Sequence, residues 1–388
     1  MPLHPSDALA HSPSWLFPSY IFLSIIPLVV KSSSYRRLFF IPIVALTYYF
    51  LFHTTTRSIT TDYGLTCGWL TLFFISSDFI LLTDVQRELR STKPPQIKPI
   101  SQEGLWARIT WAYDLFTSPR GIGWAHEPSN AVLPPRPACS KSSFLMKQFA
   151  RLAMLGLIYD IATWHNYFNP AYFRDGPSLT AYGWFWRYES IWGWALQAYT
   201  VMAAQNCFVS ILSVSLGRSD AEDWPWLFGS FSSAWTIRRF WGRTWHQLLR
   251  RFVTAHGRFV SGRLGLTRGS NFSAYVQLYT AFFLSAIIHS LGDYTLLRNW
   301  NGGAFKFFLW QAVAITFEDG VIALGRNAGL KGSAPVWRVL GYVWVWTWFA
   351  VCFPTWQDPL MSAGMMSEEQ SFLQTAWRKW LDARIISE

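Results

Sequence analysis

Long apolar runs separated by polar, basic segments dominate the chain. A transmembrane helix needs about 20 consecutive apolar residues, and eight runs reach or approach that length. They lie at 15–30, 38–53, 63–82, 144–163, 191–216, 272–297, 304–324 and 336–353. The pattern predicts an all-α, polytopic membrane protein with about eight transmembrane helices.

Lysine and arginine are concentrated in alternate connections between these runs. The segments after the first, third, fifth and seventh runs are basic, whereas the other connections contain few positive charges. Under the positive-inside rule, the N-terminus lies outside the cytosol, and the long insertions at 83–143 and 217–271 lie in the cytosol. We predict a single integral-membrane domain over 1–388 that ends in an interfacial tail helix within 362–388.

Composition supports a membrane protein over a soluble one. Hydrophobic residues make up 51% of the chain and charged residues only 14%. The formal charge of +11 indicates attraction to anionic membrane lipids or to a polyanionic cosubstrate, and nucleic-acid binding is set aside. The four cysteines form no CxxC pair, so neither a metal site nor a disulfide framework is predicted.

A histidine interrupts the most apolar part of the sixth run. An ionisable side chain in a transmembrane helix is expensive unless it faces a cavity or a partner, so His289 is a candidate functional residue. Asp293 lies four residues later on the same helical face, where it either orients the His289 ring or simply ends the helix. The remaining histidines are expected to be solvated or interfacial: His4, His11, His53, His126, His165 and His256.

A second histidine lies in the basic segment before that run. Aromatic and apolar side chains between 231 and 252 recur at helical spacing, and arginines occupy the opposite face, which predicts an amphipathic helix at the membrane surface. The spacing, taken by itself, is explained by an ordinary interfacial helix. His246, which lies in this segment 43 positions before His289, favours a functional interpretation.

Two histidines and a dense arginine segment suit acyl transfer from coenzyme A. A neutral imidazole can accept the proton of an alcohol as the alcohol oxygen attacks a thioester, which predicts His289 as the general base. His246 would orient the acyl carbonyl or stabilise charge that develops on it. Arginine binds phosphate oxygens bidentately, and the predicted coenzyme A ligands are Arg239, Arg243 and Arg250.

Three motifs carry a family resemblance. The segment Phe-Trp-Gly-Arg-Thr-Trp-His-Gln at 240–247, followed by Phe-Leu-Ser-Ala-Ile-Ile-His at 283–289, resembles the paired signature of the wax synthase family within the membrane-bound O-acyltransferases. The segment Ser-Pro-Arg-Gly-Ile-Gly-Trp at 118–124 is similar to an element of fungal wax-synthase-like acetyltransferases. The resemblance implies that His289 is catalytic and that a second polar residue, here His246, assists it. The supporting or substrate-binding residues are then Trp241, Trp245, Gln247, Ser285 and Asp293.

The resemblance also implies an activity. Family members use acyl-CoA as a cosubstrate, with no permanently bound cofactor, and a lipophilic alcohol as acceptor. We therefore expect acetyl-CoA-dependent O-acetylation of an apolar terpenoid or meroterpenoid secondary metabolite, in the endoplasmic reticulum membrane. The alternatives are a long-chain wax-ester or sterol-ester synthase, a proton-coupled transporter with His289, Asp293 and Glu318 as its relay, and a membrane scaffold without chemistry.

Overall fold

The regular structure of this chain is almost entirely helical. The computed structural model describes residues 9–93, 95–128, 132–330, 335–367 and 371–385. Two short strands, β1 (Ala10–His11) and β2 (Thr54–Thr55), pair in parallel. The α-helices of the described residues are α1 (Leu16–Val29), α2 (Phe40–His53), α3 (Ile59–Ser77), α4 (Val85–Glu88), α5 (Leu105–Phe116), α6 (Lys141–Asn166), α7 (Trp184–Ser215), α8 (Ile237–Arg239), α9 (Arg250–Arg263), α10 (Asn271–Leu297), α11 (Ala304–Asn327), α12 (Pro335–Ser362) and α13 (Phe372–Ile385). The predicted all-α fold class is confirmed.

Six helical segments of the described residues are long and apolar enough to cross a membrane, by length and composition. They are Ser34–His53, Ile59–Leu82, Trp184–Ser215, Asn271–Leu297, Ala304–Asn327 and Pro335–Ser362. The predicted number of eight is not confirmed. The first predicted span corresponds to α1, which has only 14 residues, and the fourth falls in α6, which carries four charged side chains along its 26 residues.

Serine side chains begin three of these helices. Ser58, Ser140 and Ser270 directly precede α3, α6 and α10, and each hydroxyl oxygen accepts the backbone N–H three residues later. Such caps satisfy amide groups that the first helical turn leaves without a partner. The start of each helix is therefore determined by a local polar residue next to the apolar run.

The predicted single amphipathic helix between 231 and 252 is wrong. The segment forms a 3₁₀ turn at Phe231–Ser233, the three-residue α8, and a π-helical turn at Phe240–Thr244. The backbone of Trp245 is then extended, and α9 begins only at Arg250. Tertiary packing overrides the helical spacing here, because Phe349 of α12 packs against the rings of Phe240 and Trp241, with centroids 4.9 and 6.1 Å apart.

The chain divides into two compact units. Unit 1 comprises Met1–Ala131 and Gln247–Ala328, and unit 2 comprises Val132–His246 and Gly329–Glu388. The prediction of one integral-membrane domain, the sidedness of the two insertions and the interfacial position of the tail helix stay predictions. In the tail, α13 runs from Phe372 to Ile385, and residues 368–370 and 386–388 lie outside the described part of the chain.

In unit 1, α10 packs against α3, α9 and α11. The residue after α10, Arg298, adopts a left-handed conformation with φ 54°. Its guanidinium donates to the carbonyl oxygens of Leu51 and Thr54 and lies 3.5 Å from the Asp62 carboxylate. The segments after the second and sixth predicted spans therefore meet, and their non-cytosolic location stays a prediction.

In unit 2, α6 packs along α7, and α12 packs on α7. A buried amide network joins the first two helices, since Asn166 donates to Gln197 and Gln197 donates to Thr163. The Asp358 carboxylate near the end of α12 accepts the Ser178 hydroxyl and the Leu179 amide. These contacts also join segments that were predicted to share the non-cytosolic side.

Candidate active site

His289 lies on α10 where that helix faces α3 and α11. The Oη atom of Tyr63, on α3, is 3.0 Å from His289 Nδ1, within hydrogen-bonding distance. The Phe308 ring, on α11, stacks on the imidazole with centroids 4.5 Å apart and an interplanar angle of 10°. His289 is half-buried, whereas Tyr63 and Phe308 are buried. Three helices of unit 1 thus determine the orientation of the ring.

A glycine lets α3 approach α10 closely beside His289. A Cβ atom on Gly292 would lie 3.0 Å from Cys67 Sγ and 3.0 Å from a ring carbon of Tyr63, closer than most real Cβ contacts. The Sγ atom of Cys67 is also 3.6 Å from His289 Nδ1. One turn further along α10, the Thr295 hydroxyl donates to Thr66. The Tyr63 contact therefore depends on a helix interface with no room for an added methyl group.

Asp293 is almost completely buried and accepts the backbone N–H of Ala304 at 2.9 Å. A Cβ atom on Gly302 would lie 2.4 Å from the Asp293 carboxyl group, so the loop wraps tightly around it. Asp293 therefore anchors the start of α11. Its carboxyl group also acts electrostatically on Tyr63 and Cys67. A direct orienting contact from Asp293 to His289 stays a prediction.

The position of His289 along its helix agrees with a deep site. It lies about 27 Å from the start of α10 and roughly 12 Å from its end, at 1.5 Å per residue. Its partner Tyr63 lies one turn after the start of α3. Under the predicted sidedness, both residues belong to the non-cytosolic half of the membrane, so coenzyme A would have to reach deeply from the cytosol.

Three other predicted site residues lie in unit 1. The Ser285 hydroxyl donates to the Ala281 carbonyl within α10. Gln247 is buried, and its side-chain oxygen accepts a hydrogen bond from Arg250 at 2.9 Å. Arg250 is thus held against the predicted motif, and its role as a coenzyme A ligand stays a prediction.

His246 lies in unit 2 in an aromatic environment. Its ring packs beside Trp245, with centroids 5.6 Å apart, and against the edge of Phe228 at 6.4 Å. The residue as a whole is half-buried, but its Nδ1 atom is fully buried and has no hydrogen-bond partner among the described residues. Burial lowers the pKa of His246 to about 4, because the apolar surroundings disfavour the charged form. His246 is therefore neutral at cytosolic pH.

The other predicted residues of unit 2 surround this histidine in sequence. Trp241 packs edge-on against Phe349 of α12 at 6.1 Å. Arg239 lies over the Trp235 ring at 4.6 Å and donates to the Ser233 carbonyl. Burial and the positive charges of Arg243 and Arg338 lower the pKa of Arg239. Arg243 itself is exposed. The predicted residues are thus divided between the two units, with His289 in one and His246 in the other.

The Arg-Gly-Ile-Gly-Trp segment forms a tight, buried loop of unit 1. Gly121 and Gly123 have positive φ angles of 66° and 78°, which favour glycine. A Cβ atom on Gly121 would lie 2.8 Å from the His126 ring. Burial lowers the pKa of Arg120 to about 10, and Glu127 partly opposes this shift. The motif therefore has a structural basis that its sequence did not indicate.

Two histidines that were expected to be solvated are instead packed inside unit 1. The Nδ1 atom of His126 is buried with no hydrogen-bond partner in the described chain, and burial, with a smaller effect of Arg251, lowers its pKa to about 4. His256 Nδ1 donates to the Phe252 carbonyl, and its Nε2 atom lies 2.9 Å from the Ser77 hydroxyl, within hydrogen-bonding distance. Both side chains are half-buried, so the expectation of a solvated side chain was wrong for these two residues, and the interfacial alternative stays a prediction. His11, His53 and His165 are exposed, and His4 lies outside the described residues.

Sequence reasoning missed Tyr63, Cys67 and Phe308 as neighbours of His289. A signal existed for the first two, because Tyr63 and Cys67 are four residues apart and so lie on one face of an apolar helix. Nothing in the sequence paired that face with α10. Among the described residues, no group of three or more histidine, cysteine or carboxylate side chains could hold a metal ion.

Comparison with known proteins identifies relatives along most of the chain. Residues 224–310 match the model of the "Membrane bound O-acyl transferase family". Acetyltransferase ple2 of Rhodocybe pseudopiperita is 37% identical over 96% of this chain and 98% of its own length. Acetyltransferase eriL of Hericium erinaceus is 36% identical over 90% of this chain and 93% of its own. No solved structure matches this chain.

These relatives confirm the family resemblance of the sequence motifs and the predicted acyl-CoA-dependent O-acyltransferase activity. The matched region includes both His246 and His289, and full-length similarity extends beyond it to the first spans and the tail. From its apolar helices, its motifs and these relatives, the chain belongs to the membrane-bound O-acyltransferases.

Proposed function

We propose that this O-acyltransferase transfers an acetyl group from acetyl-CoA to a hydroxyl group on an apolar acceptor. Relatives that align with nearly the whole chain are named acetyltransferases, which supports an acetyl donor over a long-chain one. An apolar acceptor such as a terpenoid or meroterpenoid fits a site within transmembrane helices. The endoplasmic reticulum membrane is the proposed location.

The observation that supports the proposal is that the neighbours of His289 fix the orientation of its ring. Its Nδ1 atom is engaged by Tyr63 at 3.0 Å, so proton transfer falls to Nε2. The acceptor O–H proton moves to Nε2 as the alcohol oxygen forms a bond to the acetyl carbonyl carbon. The tetrahedral intermediate then expels the coenzyme A sulfur, which takes the proton from Nε2–H. The products are an acetate ester and free coenzyme A, and His289 returns to its starting state.

Neutral His246 suits a different task in the same reaction. With a pKa of about 4, it is uncharged at cytosolic pH and acts as a hydrogen-bond donor rather than as a cation. Such a donor would stabilise the negative charge that develops on the acetyl oxygen. The arginines at 239, 243 and 250 would bind the phosphates of coenzyme A, in agreement with the predicted cytosolic location of their segment.

A nucleophilic cysteine is the rival within acyl transfer, because Cys67 Sγ lies 3.6 Å from His289 Nδ1. Tyr63 Oη lies closer to the same nitrogen, at 3.0 Å, and an oxygen forms the stronger hydrogen bond. A thiol that is not the preferred partner of the base is poorly activated. We therefore favour direct transfer over an acetyl-enzyme.

The test uses microsomes from a host that expresses the full chain. Labelled acetyl-CoA and labelled palmitoyl-CoA are offered separately with a panel of terpenoid, sterol and fatty alcohols, and ester formation is measured. The proposal expects acetate esters of an apolar alcohol from the wild type and none above background from His289→Ala. Exclusive palmitoyl transfer would identify a wax-ester or sterol-ester synthase instead. Undiminished ester formation by His289→Ala would refute the assigned base.

A further inference from the structure

Two side chains that approach the Nδ1 atom of His289 come from a single helix, α3. Within unit 1, Tyr63 Oη at 3.0 Å and Cys67 Sγ at 3.6 Å both approach this nitrogen. Phe308 covers one face of the ring. Whether Nδ1 of the neutral imidazole carries a proton therefore decides whether Nε2 can act as a base.

Of the two groups at Nδ1, the tyrosine hydroxyl is the better hydrogen-bonding partner. A separation of 3.0 Å is normal for a nitrogen–oxygen hydrogen bond, whereas a thiol is a weak donor and a weak acceptor. Close packing holds the Tyr63 ring in place, because Gly292 brings the α10 backbone against it. Tyr63 is buried, so its hydroxyl cannot swing out to bulk water.

A hydroxyl can either donate to Nδ1 or accept from it, and the proposed role of Nε2 distinguishes the two arrangements. A neutral imidazole carries a proton on only one of its ring nitrogens. If Nε2 is the base, the proton lies on Nδ1, and the Tyr63 oxygen at 3.0 Å must accept it in a hydrogen bond.

We propose that Tyr63 is a positioning residue that accepts the Nδ1 proton of His289 in a hydrogen bond and so keeps Nε2 unprotonated and ready to act as the base. The proposal rests on the proposed function. The arrangement resembles the logic of a catalytic triad, in which a third group holds the imidazole in one tautomer and stabilises the imidazolium that forms.

Tyr63 makes no contact with the reacting atoms in this scheme, and it keeps its own proton throughout. Its hydroxyl strengthens the hydrogen bond to Nδ1 when Nε2 takes the alcohol proton, because the ring then carries a positive charge. Loss of the hydroxyl should therefore slow the chemical step and leave the binding of acetyl-CoA unchanged.

The test is Tyr63→Phe in the full-length enzyme, because this substitution removes only the hydroxyl and preserves the ring packed against Gly292. We expect kcat to fall by about 10- to 100-fold, as is usual for a partner that orients a functional histidine. The KM values for acetyl-CoA and the acceptor should stay within about twofold, because neither ligand loses a contact. Thermal stability in detergent is measured in parallel.

Tyr275→Phe is the matched control. Tyr275 lies on α10, the helix that carries His289, and its hydroxyl donates to the Asp319 carboxylate on α11 at 3.0 Å. Tyr63→Phe removes the hydroxyl of a buried tyrosine beside His289. Tyr275→Phe removes the hydroxyl of a half-buried tyrosine elsewhere on α10. The control should retain kcat within about twofold at a similar change in thermal stability.

Each outcome decides the matter. A drop in kcat specific to Tyr63→Phe supports the positioning role. Wild-type kcat in Tyr63→Phe, or an equal drop in both variants, overturns it. His289→Ala is assayed alongside: if it is inactive while Tyr63→Phe is fully active, the base stands and only the tyrosine role is wrong. If His289→Ala is itself active, the assigned base is wrong, and if the wild type forms no acetate ester, the proposed function is wrong.

Discussion

The two histidines of the predicted active site have opposite environments. The His289 ring in unit 1 has its Nδ1 atom beside Tyr63 and one face against Phe308. The His246 ring in unit 2 is surrounded by Trp245 and Phe228, and its buried Nδ1 atom has no hydrogen-bond partner among the described residues. One imidazole is oriented by hydrogen bonding, and the other is kept neutral by burial.

The difference separates two chemical roles that the same residue type can perform. A base needs a defined tautomer and a partner that stabilises its protonated form. A donor to a developing oxyanion needs to be neutral and preorganised, because a neutral imidazole in apolar surroundings requires little rearrangement during the reaction. The four predictions that follow test this contrast, from the largest expected effect to the smallest.

The largest effect is expected at His289. Replacement with alanine removes the proposed base and should lower kcat roughly 10³-fold, within the usual contribution of general base catalysis. His289→Gln, which preserves size and hydrogen bonding but cannot accept the alcohol proton effectively, should be similarly impaired. Acetyl transfer by purified enzyme in detergent provides the measurement. A glutamine variant that retained most of the activity would show that proton transfer is not the role of this residue.

A smaller loss is expected at His246. The proposed role of this histidine as a neutral donor predicts that His246→Ala lowers kcat about 10²-fold. His246→Asn retains an N–H donor and should recover activity to within about tenfold of the wild type. Initial rates at saturating acetyl-CoA distinguish the two variants. Equal loss in both variants would contradict a donor role and would make His246 resemble His289.

A change at the helix interface should affect His289 without removing any polar group. Gly292→Ala places a Cβ atom 3.0 Å from Tyr63 and Cys67, so these side chains must move by a few tenths of an ångström. We expect kcat to fall about tenfold, because small displacements of catalytic groups have large effects. Gly68→Ala is the control, since a Cβ atom there meets nothing within 4 Å. Equal rates in both variants would show that the close approach is unimportant.

The smallest effect concerns acid stability. Burial lowers the pKa of both His246 and His126 to about 4, with an added effect of Arg251 on His126, whereas an unfolded histidine titrates near 6.5. Between these values the unfolded chain binds more protons than the folded chain, so stability should decrease as pH falls from about 6.5 to 4. The apparent midpoint of thermal unfolding, followed by tryptophan fluorescence, should drop by several degrees.

The matched variant for this prediction is His126→Gln, which cannot become charged. Its unfolding midpoint should depend less on pH than that of the wild type, because one of the two buried imidazoles is gone. A wild-type midpoint that stays constant between pH 7 and 5 would contradict the proposed burial of both rings.

Much of the fold could be predicted because its signals are local. Apolar runs predicted every one of the long helices, and serines mark the starts of α3, α6 and α10. The single helix predicted between 231 and 252 was wrong, because aromatic side chains at helical spacing can also pack on one another across a break. Trp241 and Trp245 are four residues apart, as on one face of a helix, and their rings still contact edge-on with centroids 6.2 Å apart although the backbone of Trp245 is extended.

The candidate site was predicted unevenly. His289 was identifiable because an ionisable group in an apolar run is conspicuous by itself. Its relation to Asp293 was limited to a shared helical face, and the structure adds the Ala304 amide as the partner of that carboxylate. His126 was missed because a loop position says nothing about burial.

From the sequence alone follow the helical class, the family motifs and the identity of the two histidines, since hydropathy and motif spacing are properties of neighbouring residues. Only the tertiary structure decides which atom meets His289 Nδ1, because Tyr63 is 226 positions away and reaches it through packing of α3 on α10. The same holds for the neutral state of His246, which depends on apolar side chains gathered by folding. Charge and tautomer are properties of a three-dimensional environment, and no one-dimensional pattern encodes them.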